Sequence, residues 1–259
     1  MNALPKSSLR QRLRAGEFVL GTFLEIASPA LVEILGLAGF DFLIIDREHG
    51  SIDIEACEGL IRAAQCAGIE PIVRVAENHP VLVRQPLDMG AAGVQVPQIG
   101  SQADALQVVK SAMFAPEGER GLQPFVRGAS YRAIDPAAFM ANANRDSVVV
   151  VHIEGESGAS NLDAILQVER IDVIFIGPYD LSQSLGVPGQ VHHPRVEKRV
   201  GEIAAMAHGS GKCVGMFCDN PSSVANWRSM GITYAALSID ATIFLNACRG
   251  LVNEVKEHS

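Results

Sequence analysis

The residues with most capacity for chemistry in this sequence fall at the ends of apolar runs. "LIIDREHG" at 43–50 passes without a turn residue into Asp46, Arg47, Glu48 and His49, four consecutive groups that carry or can carry charge. Arg74 stands between Val73 and Val75, where an unpaired guanidinium is very costly, so it must meet an anion. Glu154 closes "VVVVHIE" and needs a cation for the same reason, and Asp180 follows in "GPYD", one βαβ step further on. Both carboxylates can therefore point into one mouth from adjacent strands. Two carboxylates and little else suit a hard divalent ion such as Mg²⁺ or Mn²⁺, which keeps waters and takes further oxygens from its substrate. Plainer readings stay open at this level. Glu154 could serve only to neutralise Arg74, Asp46 could be a helix cap, and His49 a loop hydrogen-bonder.

The elements that must position these groups repeat. Eight short runs rich in Val, Ile, Leu and Phe lie at 18–24, 40–46, 70–75, 92–97, 147–154, 172–177, 212–217 and 233–239. Between most of them the apolar spacing is helical, as in "SPALVEILGLAGF" and "IDIEACEGLIRAAQCAG", which open on Ser or Asp as N-cap and close on Gly. Near-continuous apolar strands alternating with amphipathic helices imply a parallel sheet covered by helices. Eight units predict closure into a single (β/α)₈ TIM barrel spanning 1–259, with a doubly wound sheet as the competing fold. A barrel gathers its chemistry at the C-terminal ends of its strands, which is where Asp46, His49, Arg74, Glu154 and Asp180 fall.

Composition narrows the partners. The 259 residues are 48% hydrophobic and 19% charged, with a formal charge of −8 and no concentrated Lys/Arg face, which argues against nucleic acid. No apolar run approaches a membrane span, and the basic N-terminus lacks an apolar signal core, so no membrane partner is expected and a cytoplasmic protein is. The five cysteines are widely spaced with no C-x-x-C pair, the pattern of reduced, mostly buried thiols.

Taken together, "IDREHG" at 45–50, "VRV" at 73–75, "IEGESG" at 153–158 and "GPYDLS" at 177–182 resemble the signature motifs of the HpcH/HpaI family of class II, metal-dependent pyruvate aldolases. The resemblance runs from about Phe18 to Asp240. It implies a TIM barrel in a homo-oligomer, a trimer or a hexamer with an exchanged C-terminal helix. It also implies a divalent cofactor (Mg²⁺, Mn²⁺ or Co²⁺) on Glu154 and Asp180, a His49–Asp46 dyad, and Arg74 as the enolate-stabilising arginine. The segment Gly177, Pro178, Tyr179 and Asp180 would hold the pyruvate carboxylate, with Phe217 and His152 as further substrate-binding residues. Three departures stand out. Arg47 replaces a small or short polar residue, and His152 replaces a Gln. The long segment 97–147 carries Arg120, Arg127 and Arg132, expected near the mouth and a subunit interface where they would help bind an anionic acceptor.

The expected activity is reversible cleavage of 4-hydroxy-2-oxo acids to pyruvate and an aldehyde through an enolate. No lysine at a strand end offers a Schiff base, which argues against a class I aldolase. A citrate-synthase-like bond-forming enzyme or a decarboxylase acting on oxaloacetate is the alternative within the same fold. A catalytically silent barrel that binds metal and oxo-acids is the alternative outside catalysis. A phosphosugar barrel is disfavoured because "FCDNPSS" and "SIDATIF" hold no glycine-rich phosphate cradle.

Overall fold

Period-two alternation in the apolar runs sends one set of side chains inward and the other toward a helical shell, and the chain closes on itself accordingly. The computed structural model describes residues 7–257; the first six and last two residues of the expected 1–259 domain lie outside the described residues. The strands are β1 (Val19–Leu24), β2 (Phe42–Asp46), β3 (Glu70–Arg74), β4 (Gly93–Val96), β5 (Val148–Ile153), β6 (Val173–Ile176), β7 (Cys213–Cys218) and β8 (Tyr234–Ile239). They pair in parallel and in sequence order into a closed barrel, β8 meeting β1. This is the (β/α)₈ topology, and the doubly wound alternative is excluded.

The helices are α1 (Leu9–Arg14), α2 (Pro29–Ala38), α3 (Ile54–Ala67), α4 (Pro80–Asp88), α5 (Gln102–Ala112) and α6 (Pro136–Asp146) in the first half. The second half adds α7 (Glu156–Ser160), α8 (Leu162–Leu166), α9 (Pro178–Ser184), α10 (Pro194–Gly209), α11 (Pro221–Ser229) and α12 (Asp240–Glu257). The expected caps form. Ser28 and Asp53 accept backbone N–H groups at the starts of α2 and α3, and Gly39 and Gly68 end them in the left-handed region.

Outward residues such as Leu43, Ile45, Val73, Val94, Val149, Val151 and Ile174 form the large core against the helices. Inward residues, among them Phe42, Ile44, Ile72, Val150, Phe175 and Tyr234, fill the barrel as a second, separate core. The end opposite the mouth is stoppered by α1, whose Leu9 and Leu13 join that inner core. Arg10 anchors the stopper: its Nε meets Asp172 Oδ1 at 2.7 Å, and Nη1 donates to the carbonyls of Asn144 and Arg145. At the mouth the β8–β1 seam is tied by Asp240, whose two carboxylate oxygens accept the backbone N–H groups of Glu25 and Ile26, each at 3.0 Å.

No helix among the described residues is long and apolar enough to cross a membrane. All five thiols are free; Cys57 and Cys218 are buried, whereas Cys66 is exposed. The last helix departs from a covering role: of α12 only Asp240 is buried, while Phe244, Leu251 and Val255 stand exposed.

Candidate active site

The inner face of β2, β3 and β4 carries a row of polar groups at its C-terminal end, with Asp46 registered beside Arg74 and Arg74 beside Gln95. Asp46, fully buried, binds Arg74 in a two-point fork: Nε to Oδ1 at 2.9 Å and Nη2 to Oδ2 at 2.5 Å. Glu48 completes the cage, 3.0 Å from Nη1. The buried arginine thus finds its anion as expected, but in Asp46 and Glu48, not in Glu154. Burial works against the Asp46 charge, yet the Arg74 fork and the backbone N–H groups of Glu48 and His49 more than offset it, and its pKa lies below the usual carboxylate range. Burial and the nearby Glu154 charge push Glu48 the other way, and burial with Asp46 and Asp240 does the same to Glu25 at the rim.

This geometry corrects the expected dyad. Asp46 touches His49 only through the backbone, whose N–H donates to Oδ1 at 3.3 Å. The imidazole itself is 67% exposed and points at Glu48, 3.9 Å from its Oε2. The Asp46 side chain is turned to the guanidinium and makes no contact with the ring.

Glu154 extends from the end of β5 and is held at both oxygens. Oε1 accepts the Gln98 backbone N–H at 2.7 Å, and Oε2 pairs with His152 Nδ1 at 2.9 Å. Burial opposes its charge, but His152, the Gln98 N–H and Arg74 lower its pKa below the ordinary value. Gln98 reaches it from a left-handed backbone, φ 58°, a conformation that a non-glycine residue adopts at a cost. Asp180 approaches from α9 across Gly177. A Cβ placed at Gly177 would lie 2.9 Å from Glu154 Oε2 and 3.8 Å from Asp180 Oδ2. The missing side chain leaves a cradle between two carboxylates, and this hard, all-oxygen donor set fits a Mg²⁺-class ion. Among the described residues no group of three or more acidic, His or Cys side chains converges, so water and substrate would complete the shell.

Two hollows meet at Glu154, Asp180 and His49. One, of about 280 Å³, is floored by Phe23, Phe175 and Phe217 and walled by Arg74 and the Gly177–Asp180 turn. The other, of about 490 Å³, is lined by Glu48, Gln98, Ser157 and Gln183. The two together bring all the expected site residues except buried Asp46 to one mouth. Tyr179 donates its hydroxyl to Asp219 Oδ1 at 2.6 Å, which with burial raises its pKa to about 12. His152 lines the smaller hollow from beneath. Its ring is 1% exposed and stacked on Phe175, and both nitrogens are committed, Nδ1 to Glu154 and Nε2 to Gln95 at 2.6 Å.

Arg47 folds back onto its own loop, Nε toward Ile52 O, and lines neither hollow. The arginine-rich segment lies at the opposite end of this chain's barrel. Arg120 pairs with Asp88, and Arg127 donates to Met89 O and Gln65, all at helix ends that lead into strand starts. Arg132 is exposed. Sequence reasoning missed Gln95 and the Gln98 N–H, and gave Glu48 and Glu25 no part in the site. Only Glu48, inside the charged run, carried a signal.

This arrangement has parallels in known proteins. A family model described as HpcH/HpaI aldolase/citrate lyase matches residues 19–247. The 5-keto-4-deoxy-D-glucarate aldolase of Citrobacter koseri is 31% identical over 99% of both chains. Among solved structures, an HpcH/HpaI aldolase/citrate lyase family protein from Burkholderia cenocepacia is 32% identical, with a TM-score of 0.90 over 96% of this chain and 98% of that one. Citrate synthase SbnG is 33% identical, with a TM-score of 0.87 over 97% and 98%. With the eight-stranded barrel, the carboxylate pair at its mouth and a match over most of its length, the chain belongs to the HpcH/HpaI aldolase/citrate lyase family.

Proposed function

We propose that the protein is a divalent-metal-dependent carbon–carbon lyase that reversibly cleaves 4-hydroxy-2-oxo acids to pyruvate and an aldehyde. The observation that carries the reading is the Gly177 cradle between Glu154 and Asp180, set in the same hollow as a guanidinium locked by Asp46. A divalent ion in that cradle would polarise the C2 carbonyl and make the adjacent carbon acidic. The chain's own groups do the rest. Arg74 has five N–H donors; Nε and one N–H of Nη2 serve Asp46, and one of Nη1 serves Glu48. One N–H on each terminal nitrogen is left to meet the C2 oxygen as charge develops there, in a position that needs no reorganisation. Phe23 and Phe175 keep water from the floor of the hollow. His49, largely exposed at the junction of the two hollows, is placed to take the C4 hydroxyl proton during cleavage and to return it during addition.

We further propose that the working unit is a homo-oligomer in which α12 covers a neighbouring barrel, consistent with the trimer or hexamer implied by resemblance. The exposed apolar residues of α12 and the half-covered outward residues Leu20 and Leu237 at the β8–β1 seam support this.

The test is release of pyruvate and aldehyde from a 4-hydroxy-2-oxo acid with added Mn²⁺ or Mg²⁺, together with metal-dependent solvent deuterium exchange into the pyruvate methyl group. Glu154→Ala and Asp180→Ala should abolish both. Exchange without metal, or full activity of either variant at low metal, would sink the assignment. The likeness to a citrate synthase favours a second reading, condensation of oxaloacetate with an acyl donor. Consumption of acyl-CoA with oxaloacetate and no aldehyde release would establish it.

A further inference from the structure

The inner layer of the barrel contains a chain of hydrogen bonds that ends on Glu154 and that the reaction does not itself require. Tyr234, buried on β8, approaches Gln95 Oε1 at 3.4 Å; Gln95 Nε2 approaches His152 Nε2 at 2.6 Å; His152 Nδ1 approaches Glu154 Oε2 at 2.9 Å. All three residues behind the carboxylate are at most 1% exposed, so every polar atom in the chain must find its partner within it. With Glu154 ionised and the imidazole neutral, one assignment of protons satisfies them all. The tyrosine hydroxyl donates to the amide oxygen, the amide N–H donates to Nε2, and the ring proton sits on Nδ1, aimed at Oε2. The opposite tautomer would turn a nitrogen lone pair toward the carboxylate. Packing removes the remaining freedom: the imidazole lies on the Phe175 ring, centroids 4.6 Å apart and planes 21° apart, and Phe175 meets Tyr234 edge-on at 6.1 Å.

We propose that Gln95 and His152 are positioning residues that set the orientation of Glu154 for a divalent cation, with Tyr234 fixing the amide of Gln95 at the far end. The proposal rests on the reading of Glu154 as a metal ligand. The oxygen that the chain holds, Oε2, is the one that faces the Gly177 cradle, while the Gln98 N–H holds Oε1 from the other side. A carboxylate fixed at both oxygens enters a cation site with little rotamer freedom left to lose, and outer partners of this kind typically contribute 10–100-fold to metal affinity.

The experiment is titration of the metal-stripped full chain with Mn²⁺ alone, following the electron paramagnetic resonance signal of free Mn²⁺, without substrate. His152→Leu and Gln95→Met, each near the original volume, should raise the Mn²⁺ Kd by about 10–100-fold. His152→Asn, whose amide nitrogen takes the place of Nδ1, should stay within about threefold of the native chain. Leu and Asn are alike in size, so equal weakening by both would assign the effect to packing and overturn the proposal. Mn²⁺ binding by Gln95→Met within threefold of native would also overturn it. Should His152→Leu or Gln95→Met fail to give the native circular dichroism and melting profile, Tyr234→Phe decides, since it deletes one hydroxyl only. A Kd raised at least threefold supports the chain, and an unchanged Kd overturns it. Glu154→Gln separates the two levels. If it abolishes Mn²⁺ binding while the other variants bind normally, the ligand assignment stands and the positioning proposal fails. If it leaves binding intact, both fail.

Discussion

Asp46 serves Arg74, and this changes what its loss should do. His49→Ala removes the group placed at the C4 hydroxyl, so aldol cleavage should fall by about 10²–10⁴-fold while pyruvate methyl exchange is largely kept. Asp46→Asn frees the guanidinium from its fork and should depress cleavage and exchange together. Parallel kinetics of the two reactions in both variants decide the matter, and an Asp46→Asn profile that copies His49→Ala would restore the dyad. Breaking this buried pair should also cost about 3 kcal/mol of stability at neutral pH. The pH dependence follows from the same contact. Asp46 has a folded pKa below its ordinary 3.8, so the unfolded chain binds more protons in that window. The stabilisation is present above about pH 4 and drains away as pH falls through the lowered value, and melting curves of Asp46→Asn should lack that part of the acid limb. Glu48, raised above 4.5, acts oppositely, its contribution fading as pH rises through the folded value. That Arg74 needs an anion was legible in the sequence, because a guanidinium flanked by Val73 and Val75 has no cheap alternative. Which anion was not: His49 lies three positions from Asp46 and Arg74 lies 28, and only the β2–β3 register makes the distant one the neighbour.

The strands and the caps of α2 and α3 could be read directly, since alternation, Ser or Asp at a start and Gly at an end are local signals. The turn from β6 into α9 was legible as a motif but not as a shape. Gly177 has an ordinary φ of −84°, so glycine is required there for space and not for backbone freedom. In Gly177→Ala the added Cβ would sit 2.8 Å from Glu154 Cβ and 2.9 Å from Oε2. Affinity for Mn²⁺ should fall at least tenfold and the melting temperature should fall with it, because the nearest atom met is Glu154 Cβ, which moves only with its backbone. Calorimetric Mn²⁺ titration beside a melting curve reads both. The left-handed Gln98 could not have been foreseen, since its backbone conformation has meaning only beside a carboxylate arriving from β5.

At the scale of the molecule, α12 presents an exposed apolar surface that includes Phe244, Leu251 and Val252. Patches of this kind mark interaction surfaces. Light scattering on a size-exclusion column should give a mass of three or six chains, and Phe244→Asp with Leu251→Asp should reduce it and lower the melting temperature. A native chain that runs as a monomer at micromolar concentration would refute the exchanged helix. The arginine-rich segment shows why such placements resist sequence reading: its position depends on where the ends of α3 and α4 fall around the closed circle, not on any signal within the segment.

The α1 stopper has a consequence for kinetics. With Leu9 and Leu13 filling the lower opening and Phe42, Ile44 and Tyr234 filling the space above them, the barrel among the described residues is open to traffic at the mouth and closed below it. Under the lyase reading, pyruvate beside Arg74 lies beneath the aldehyde, so the aldehyde must depart first and pyruvate last. Pyruvate should then compete with the 4-hydroxy-2-oxo acid in product-inhibition plots, whereas the aldehyde should inhibit noncompetitively. Competitive patterns for both products would mean that release is random and that a second exit opens during turnover.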